Sequence, residues 1–159
     1  MIKIQDEIEI VAPPEVVWAT LTDFERYAIW NPFIRRVEAP VVGLGEKLEA
    51  FLHPSGQRGV PIRPIIRVYR PPTELHWNSY FIHPNVLYGE HTFRLRATAT
   101  GTVFFQRLVL GGLLAPLVGN VIESDTLRGI EEMNAALKVH VEGFHGTSAA
   151  RTQRATAPD

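Results

Sequence analysis

The chain has 159 residues, of which 45% are hydrophobic and 21% are charged, a balance typical of one globular domain. Its formal net charge of −1 gives no electrostatic reason to expect a nucleic acid or an anionic membrane as partner. It contains no cysteine, which excludes disulfides, thiol nucleophiles and cysteine-bound metals. No apolar run follows a basic start at Met1 to Glu7, so we expect no secretory signal and a cytoplasmic location.

The first segments predict a strand followed by two short helices. Isoleucines at positions 2, 4, 8 and 10 alternate with polar residues, as in a half-buried strand. Asp6 falls on the apolar side of this strand. We expect a bulge or an edge position to keep its carboxylate from being buried. Pro13, Pro14 and Glu15 suit a first helical turn. A second short helix is predicted over 24–29, and Asn31-Pro32 ends it.

The middle of the chain is rich in strand and turn signals. Extended segments are predicted at 33–39, 46–53, 60–70, 74–82, 88–97 and 102–110. Pro61 and Pro64 indicate a bulge or an edge position, because proline cannot donate to a sheet ladder. Short turns, such as the hairpin signal at 98–101, favour an antiparallel sheet.

From Leu113 onward the apolar period becomes helical. Leu127, Ile130, Leu137 and Val141 follow three- and four-residue steps, which predicts one long helix. The most apolar stretch, 108–122, is short and interrupted by glycines and a proline, so we expect no membrane insertion. Residues 146–159 lack periodicity and are expected to be disordered, which leaves a single domain over 1–145.

Five segments carry a resemblance to a known family: 8–18, 27–33, 71–77, 89–95 and 129–138. Their order and spacing resemble the SRPBCC superfamily, also called START-like or Bet v 1-like, and within it the polyketide cyclase/dehydrase-type bacterial proteins. The resemblance implies an α+β helix-grip fold, in which a curved antiparallel sheet of about six to seven strands wraps a long C-terminal helix. It also implies a deep pocket for a small hydrophobic molecule such as a lipid, a polyketide or an aromatic compound. The family has no universal catalytic residue, so no catalytic role follows from it.

The hairpin at 98–101 predicts which side chains face the helix. Arg94 and Arg96 share one side of their strand, and two charges identify that side as solvent. His91 and Phe93 therefore point inward. If 98–101 forms the turn, Phe93 lies opposite Gln106, which makes His91 and Gln106 diagonal neighbours on the concave face.

An apolar concave face with two polar points suits an apolar ligand that carries one or two oxygens. The candidate ligand-binding residues are Trp77, Phe81, His91, Phe93, Phe104, Gln106, Trp30 and Met133. His91 is the best candidate for a catalytic residue, although lining the pocket is the favoured role for it. For Gln106 a structural hydrogen bond and a ligand contact stay equally open, because buried polar groups are usually paired within the protein.

Several kinds of chemistry have no motif in this chain. It has no nucleophile elbow, phosphate-binding loop, dinucleotide fingerprint or metal-binding histidine spacing, so we expect no cofactor and no metal. Three hypotheses remain. The first is a binder or carrier of a small hydrophobic molecule, and the second is a polyketide cyclase or dehydratase using the inward histidine. The third is a protein-interaction or co-chaperone module, and a homodimer through the apolar stretch 113–122 also stays open.

Overall fold

The order of elements places two short helices after the first strand and one long helix after the last. The computed structural model describes residues 1–81, 83 and 85–155, with the backbone alone at 120, 121 and 145–155. The elements within these residues are β1 Ile2–Ile10, α1 Pro14–Thr22, a 3₁₀ turn Phe24–Arg26, α2 Tyr27–Trp30, β2 Ile34–Glu38, β3 Glu49–Leu52, β4 Val60–Ile62, β5 Ile65–Arg70, β6 Glu74–Tyr80, β7 Tyr88–Ala97, β8 Thr102–Gly111 and α3 Ala115–Ala155. The predicted α+β helix-grip architecture is confirmed.

The strands form two antiparallel sheets. One has the order β1-β8-β7-β6-β5 and the other β2-β3-β4. The predicted segment 60–70 is divided between them, because Arg63-Pro64 separates β4 from β5. Pro61 lies in β4, an edge strand, where its missing N–H costs no ladder hydrogen bond. The edge position is therefore confirmed for Pro61, whereas Pro64 lies between β4 and β5. An isolated bridge joins Lys47, which precedes β3, to Ile65 of β5.

The long helix α3 closes the concave side of the five-stranded sheet. Its buried face includes Ile130, Met133, Leu137 and Val141, each 1% exposed or less. The backbone of α3 is helical to Ala155, past the predicted domain end at 145. Residues 156–159 of the predicted tail lie outside the described residues, so the domain boundary stays a prediction. No helix among the described residues is long and apolar enough to cross a membrane.

The register of the last two strands fixes which side chains face α3. Phe93 pairs with Gln106 and His91 with Leu108, as the hairpin argument predicts. β1 is an edge strand of the five-stranded sheet, and it pairs with β8 from Ile2 to Ile10 without a register shift. Asp6 is therefore accommodated by the edge position and not by a bulge. Its Oδ2 accepts a hydrogen bond of 2.9 Å from Nδ2 of Asn134 in α3.

Candidate functional site

The inner face of β6, β7 and β8 carries a group of aromatic side chains beneath α3. The His91 ring stacks on Phe93 at a centroid distance of 4.4 Å, and Trp77 approaches it edge-on at 5.6 Å. Phe93 in turn stacks on Phe104 at 6.1 Å. All of these rings are 2% exposed or less. Together with two neighbours they form what we call the interior cluster: Trp77, His91, Phe93, Phe104, Gln106 and Met133.

Two polar side chains meet at the centre of the interior cluster. Nε2 of Gln106 lies 2.7 Å from Nε2 of His91 and 3.4 Å from the sulfur of Met133. Burial, with a smaller contribution from charge repulsion by His76, lowers the pKa of His91 to about 3. His91 is therefore neutral at physiological pH, and its Nε2 can accept a hydrogen bond from the Gln106 amide. This pairing gives Gln106 a structural hydrogen bond inside the protein.

The space that the sequence predicts to be hollow is occupied next to His91. Phe93, Phe104, Gln106 and Met133 are each 0% exposed, so no void large enough for a water molecule touches them. Phe33 is inserted here from the start of β2, with its ring 6.3 Å from the His91 ring. The predicted hollow is therefore wrong for this conformation, because the protein's own side chains fill the interior cluster.

A groove opens where the two sheets separate, and we call it the split groove. Its volume is about 330 Å³. Three buried residues, Ala50, Ile62 and Ser79, form part of its lining, and Phe81 forms part of its wall. Ser79 and Trp77 face the same side of β6, and same-side residues of a strand stand roughly 7 Å apart. The groove therefore adjoins the interior cluster at Trp77.

Two of the candidate residues lie apart from the interior cluster. Phe81 follows the end of β6, is 37% exposed and lines the split groove. Trp30 ends α2 and stacks on His140 of α3 at 6.1 Å. Trp30 and His140 line a separate groove of about 190 Å³ that also includes Phe144. The other six candidates, Trp77, His91, Phe93, Phe104, Gln106 and Met133, are brought together.

Phe33 completes the packing around His91 but is absent from the ligand-binding residues predicted from the sequence, which placed it only near the pocket mouth. The available signal was Gly129, a glycine in the middle of a helical pattern. A Cβ built at Gly129 would lie 2.4 Å from Cδ2 of Phe33, so only glycine leaves room for the ring. The chain is held there by Asn31, whose Oδ1 accepts hydrogen bonds from the N–H groups of Phe33 and Ile34 at 3.0 and 2.8 Å.

Metal chemistry has no support in the described side chains. Among them, no group of three or more histidine, aspartate or glutamate residues is placed to hold a metal ion. The arrangement therefore offers apolar contact, one neutral histidine and one amide, which is the chemistry of a binding site for a weakly polar molecule.

A comparison of the sequence with models of protein families finds a match over most of the chain. The model described as polyketide cyclase / dehydrase and lipid transport matches residues 1–142. The chain belongs to this family. Comparison with curated proteins finds no sequence match to this member of the polyketide cyclase / dehydrase and lipid transport family.

Solved structures share the fold of this family member. A START superfamily protein from Mycobacterium smegmatis has a TM-score of 0.71 at 18% identity, over 89% of this chain and 98% of that one. A protein from Thermus thermophilus also has a TM-score of 0.71, at 14% identity, with the same coverage of 89% and 98%. The di-domain ARO/CYC StfQ from the steffimycin biosynthetic pathway has a TM-score of 0.70 at 13% identity, over 91% of this chain and 52% of that one. At these identities the likeness concerns the fold alone.

Proposed function

We propose that the chain binds a small, largely apolar molecule, such as a lipid, a polyketide or an aromatic compound, between its sheet and α3. The observation that carries this proposal is the His91–Gln106 pair, buried among the aromatic side chains of the interior cluster. Replacing both members of a buried hydrogen bond by apolar groups of the same shape can be nearly neutral for stability. Stability alone therefore does not account for the pair, and recognition of a polar atom on a ligand gives it a use.

The split groove supports the same proposal as an entrance. Its lining includes the buried residues Ala50, Ile62 and Ser79, and Ser79 shares a face of β6 with Trp77. A molecule in the groove thus reaches the interior cluster by displacing side chains and not by crossing a strand. Met133 suits such a rearrangement, because its unbranched thioether chain adapts to new shapes. Phe33 is the second side chain that would have to move.

Binding is favoured over catalysis by the state of the histidine. Proton transfer is most efficient when the pKa of the catalytic group lies near the working pH. Burial lowers the pKa of His91 to about 3, which makes it a very weak base. A cyclase or dehydratase that depended on His91 would need the ligand to change that environment first. We therefore assign His91 to ligand contact, with its neutral ring as the polar surface.

The experiment is a search for ligands by two routes. Native mass spectrometry of the protein isolated from its own host looks for a co-purifying small molecule. Thermal unfolding with fatty acids, linear alcohols, naphthols and polycyclic ketones looks for stabilisation. A ligand at about 100 times its Kd raises the free energy of unfolding by about 2.7 kcal/mol. If no compound co-purifies and none stabilises the protein, the proposal is overturned.

A matched pair of variants tests the entrance. Ser79→Phe adds bulk to the lining of the split groove, whereas Ser124→Phe adds the same bulk to an exposed position of α3. We expect slower ligand association for Ser79→Phe alone, measured by stopped-flow fluorescence. Equal association rates for both variants would remove the split groove from the proposal.

A second role has one specific observation in its favour. Within the apolar stretch 113–122, Leu113 is 79% exposed and Leu117 is 72% exposed. Exposed apolar side chains close together favour contact with another molecule, and we propose that two copies of the chain associate here. Light scattering after size-exclusion chromatography should give a dimer mass for the native chain and a monomer mass for Leu113→Glu/Leu117→Glu. A monomer mass for the native chain would contradict this role.

A further inference from the structure

Two buried side-chain oxygens between the sheet and α3 lack a hydrogen-bond donor. They are Oε1 of Gln106 and Oδ1 of Asn134. Both residues are 0% exposed, so neither oxygen is hydrated from the surface. Buried polar atoms in folded proteins nearly always have a partner, so two without one in the same region call for a physical explanation.

The free end of the Gln106 amide is its carbonyl oxygen. The other end lies 2.7 Å from Nε2 of His91 and 3.4 Å from the sulfur of Met133. A thioether sulfur only accepts hydrogen bonds, so an NH₂ group with two hydrogens suits a place between it and the ring nitrogen. The reversed amide would instead place a carbonyl oxygen against the sulfur, without a donor between them.

The free end of the Asn134 amide is also its carbonyl oxygen. Its Nδ2 lies 2.9 Å from Oδ2 of Asp6, and an ionised carboxylate accepts hydrogen bonds but cannot donate them. Reversing this amide would place two oxygens face to face. Both unpartnered groups are thus acceptors, and each is fixed by a neighbour that only accepts.

The two acceptors belong to one region of the fold. Asp6 is the cross-strand partner of Gln106 in the β1–β8 pair, and directly opposite residues stand about 5 Å apart. Asn134 contacts Asp6, while its chain neighbour Met133 contacts Gln106. The helix therefore lays Asn134 beside the strand position that carries Gln106.

We propose that Gln106 and Asn134 form an acceptor subsite for a hydroxyl group, so that the ligand is an apolar alcohol or phenol. This inference rests on the proposed binding function and adds the chemical class of the ligand. A hydroxyl hydrogen supplies a donor for one of these two oxygens. A hydrocarbon, an ether or a ketone of the same shape supplies none and leaves both oxygens unpaired.

The experiment compares hydroxylated compounds with analogues that cannot donate. One series is 2-naphthol, 2-methoxynaphthalene and naphthalene, and the other is dodecanol and its methyl ether. Dissociation constants are measured for the full chain by titration calorimetry. We expect the hydroxyl compound of at least one series to bind about tenfold or more tightly than its analogues, because one donor would satisfy a buried acceptor.

Three variants locate the preference. Gln106→Leu and Asn134→Leu each remove one acceptor and should reduce the hydroxyl preference. The control is Asn78→Leu, which removes another unpartnered buried amide oxygen, on the face of β6 opposite to Trp77. It should leave the preference unchanged. Should a core variant fail to fold, the comparison of analogues on the native chain still decides the question.

The outcomes separate this inference from the proposed function. If no compound of either series binds, the subsite is overturned, whereas the binding function is decided separately by co-purification and thermal stabilisation. If hydroxyl compounds and their ethers bind equally well, binding stands and the acceptor subsite is overturned. A hydroxyl preference that persists in both Gln106→Leu and Asn134→Leu also overturns the subsite, because the donor would then have another partner.

Discussion

The ring of Phe33 lies against Gly129, at the point where α3 crosses the start of β2. A Cβ at position 129 would approach Cδ2 of Phe33 to 2.4 Å, well inside van der Waals contact. The same ring lies 6.3 Å from the ring of His91, so Phe33 contacts both the helix and the interior cluster. The glycine and the phenylalanine therefore act as one packing unit, and each can be tested by substitution.

We expect Gly129→Ala to destabilise the protein by about 1–3 kcal/mol, because the added methyl group overpacks the Phe33 ring. Alanine is a better helix former than glycine by up to about 1 kcal/mol, which offsets part of this loss. The control is Gly143→Ala in the same helix, where a Cβ meets nothing within 4 Å. That variant should show only the gain in stability that comes from the higher helix propensity of alanine. Urea denaturation of both variants gives the comparison, and equal stabilities would contradict the close contact.

Phe33→Ala should lower the free energy of unfolding and raise ligand affinity. Removing a buried phenylalanine side chain costs about 3–5 kcal/mol. The cavity left behind would adjoin His91, so a ligand would no longer have to displace the ring. The control is Leu21→Ala in α1, which also removes a fully buried side chain. Calorimetric titration with a ligand of the native chain should show tighter binding for Phe33→Ala only, and unchanged affinity would show that Phe33 does not occupy the site.

The sequence predicts the hairpin geometry well, because it depends on short-range rules. Alternation in β7 and β8, together with a turn at 98–101, is enough to pair Phe93 with Gln106 and to turn His91 inward. These inferences use only neighbours within one hairpin, where a shift of one residue would turn Arg94 and Arg96 into the core. Four of the eight candidate residues follow from this hairpin, Met133 follows from the helical period, and Trp77 follows from the alternation of the preceding strand.

The remaining features depend on contacts between segments that are distant in sequence. No local pattern shows that Phe33 contacts Gly129, because the two residues are far apart in the sequence. The division of the strands into two sheets at Arg63-Pro64 likewise depends on which strands pair in space, β4 with β3 and β5 with β6. Phe81 has the parity of Trp77, but β6 ends at Tyr80, so the inward argument does not extend to it.

Lowering the pH should destabilise the protein through His91. Burial holds the pKa of His91 at about 3 in the folded state, whereas the ordinary value is 6.5. Between these values the unfolded chain binds a proton that the folded chain does not, so stability falls as the pH falls. One such group contributes a slope of at most about 1.4 kcal/mol per pH unit.

The variant His91→Gln removes this titration. The free energies of unfolding of the native chain and the variant should therefore converge as the pH is lowered from neutrality toward about 4. His140 is the control, because its pKa is also lowered, chiefly by burial, but its ring is only half-buried. His140→Gln should change the slope of unfolding free energy against pH less than His91→Gln does. Parallel curves for the native chain and His91→Gln would show that His91 is not held neutral.

Glu142 joins the second half of α3 to the end of β1. Its Oε1 accepts hydrogen bonds from the N–H of Val11 at 2.8 Å and from Nζ of Lys138 at 2.7 Å. Nζ of Lys138 also donates to the carbonyl oxygen of Glu9 at 2.6 Å. The bond from Lys138, and then that from Val11, lowers the pKa of the Glu142 carboxyl below its usual value of 4.5. Its stabilising effect is therefore present above pH 4.5 and is lost as the pH falls through the lowered value.

Glu142→Gln should accordingly cost about 0.5–1 kcal/mol at neutral pH, a small value because both side chains of the pair are about one-third exposed. The cost should shrink in acid, where the native carboxyl is itself protonated. Glu131→Gln, at an exposed position of the same helix, is the control and should change stability little at either pH. Chemical denaturation at neutral pH and at about pH 3 gives the change in unfolding free energy for each of the two variants at each pH. A cost that is the same at both pH values would mean that the loss comes from packing and not from the charge of Glu142.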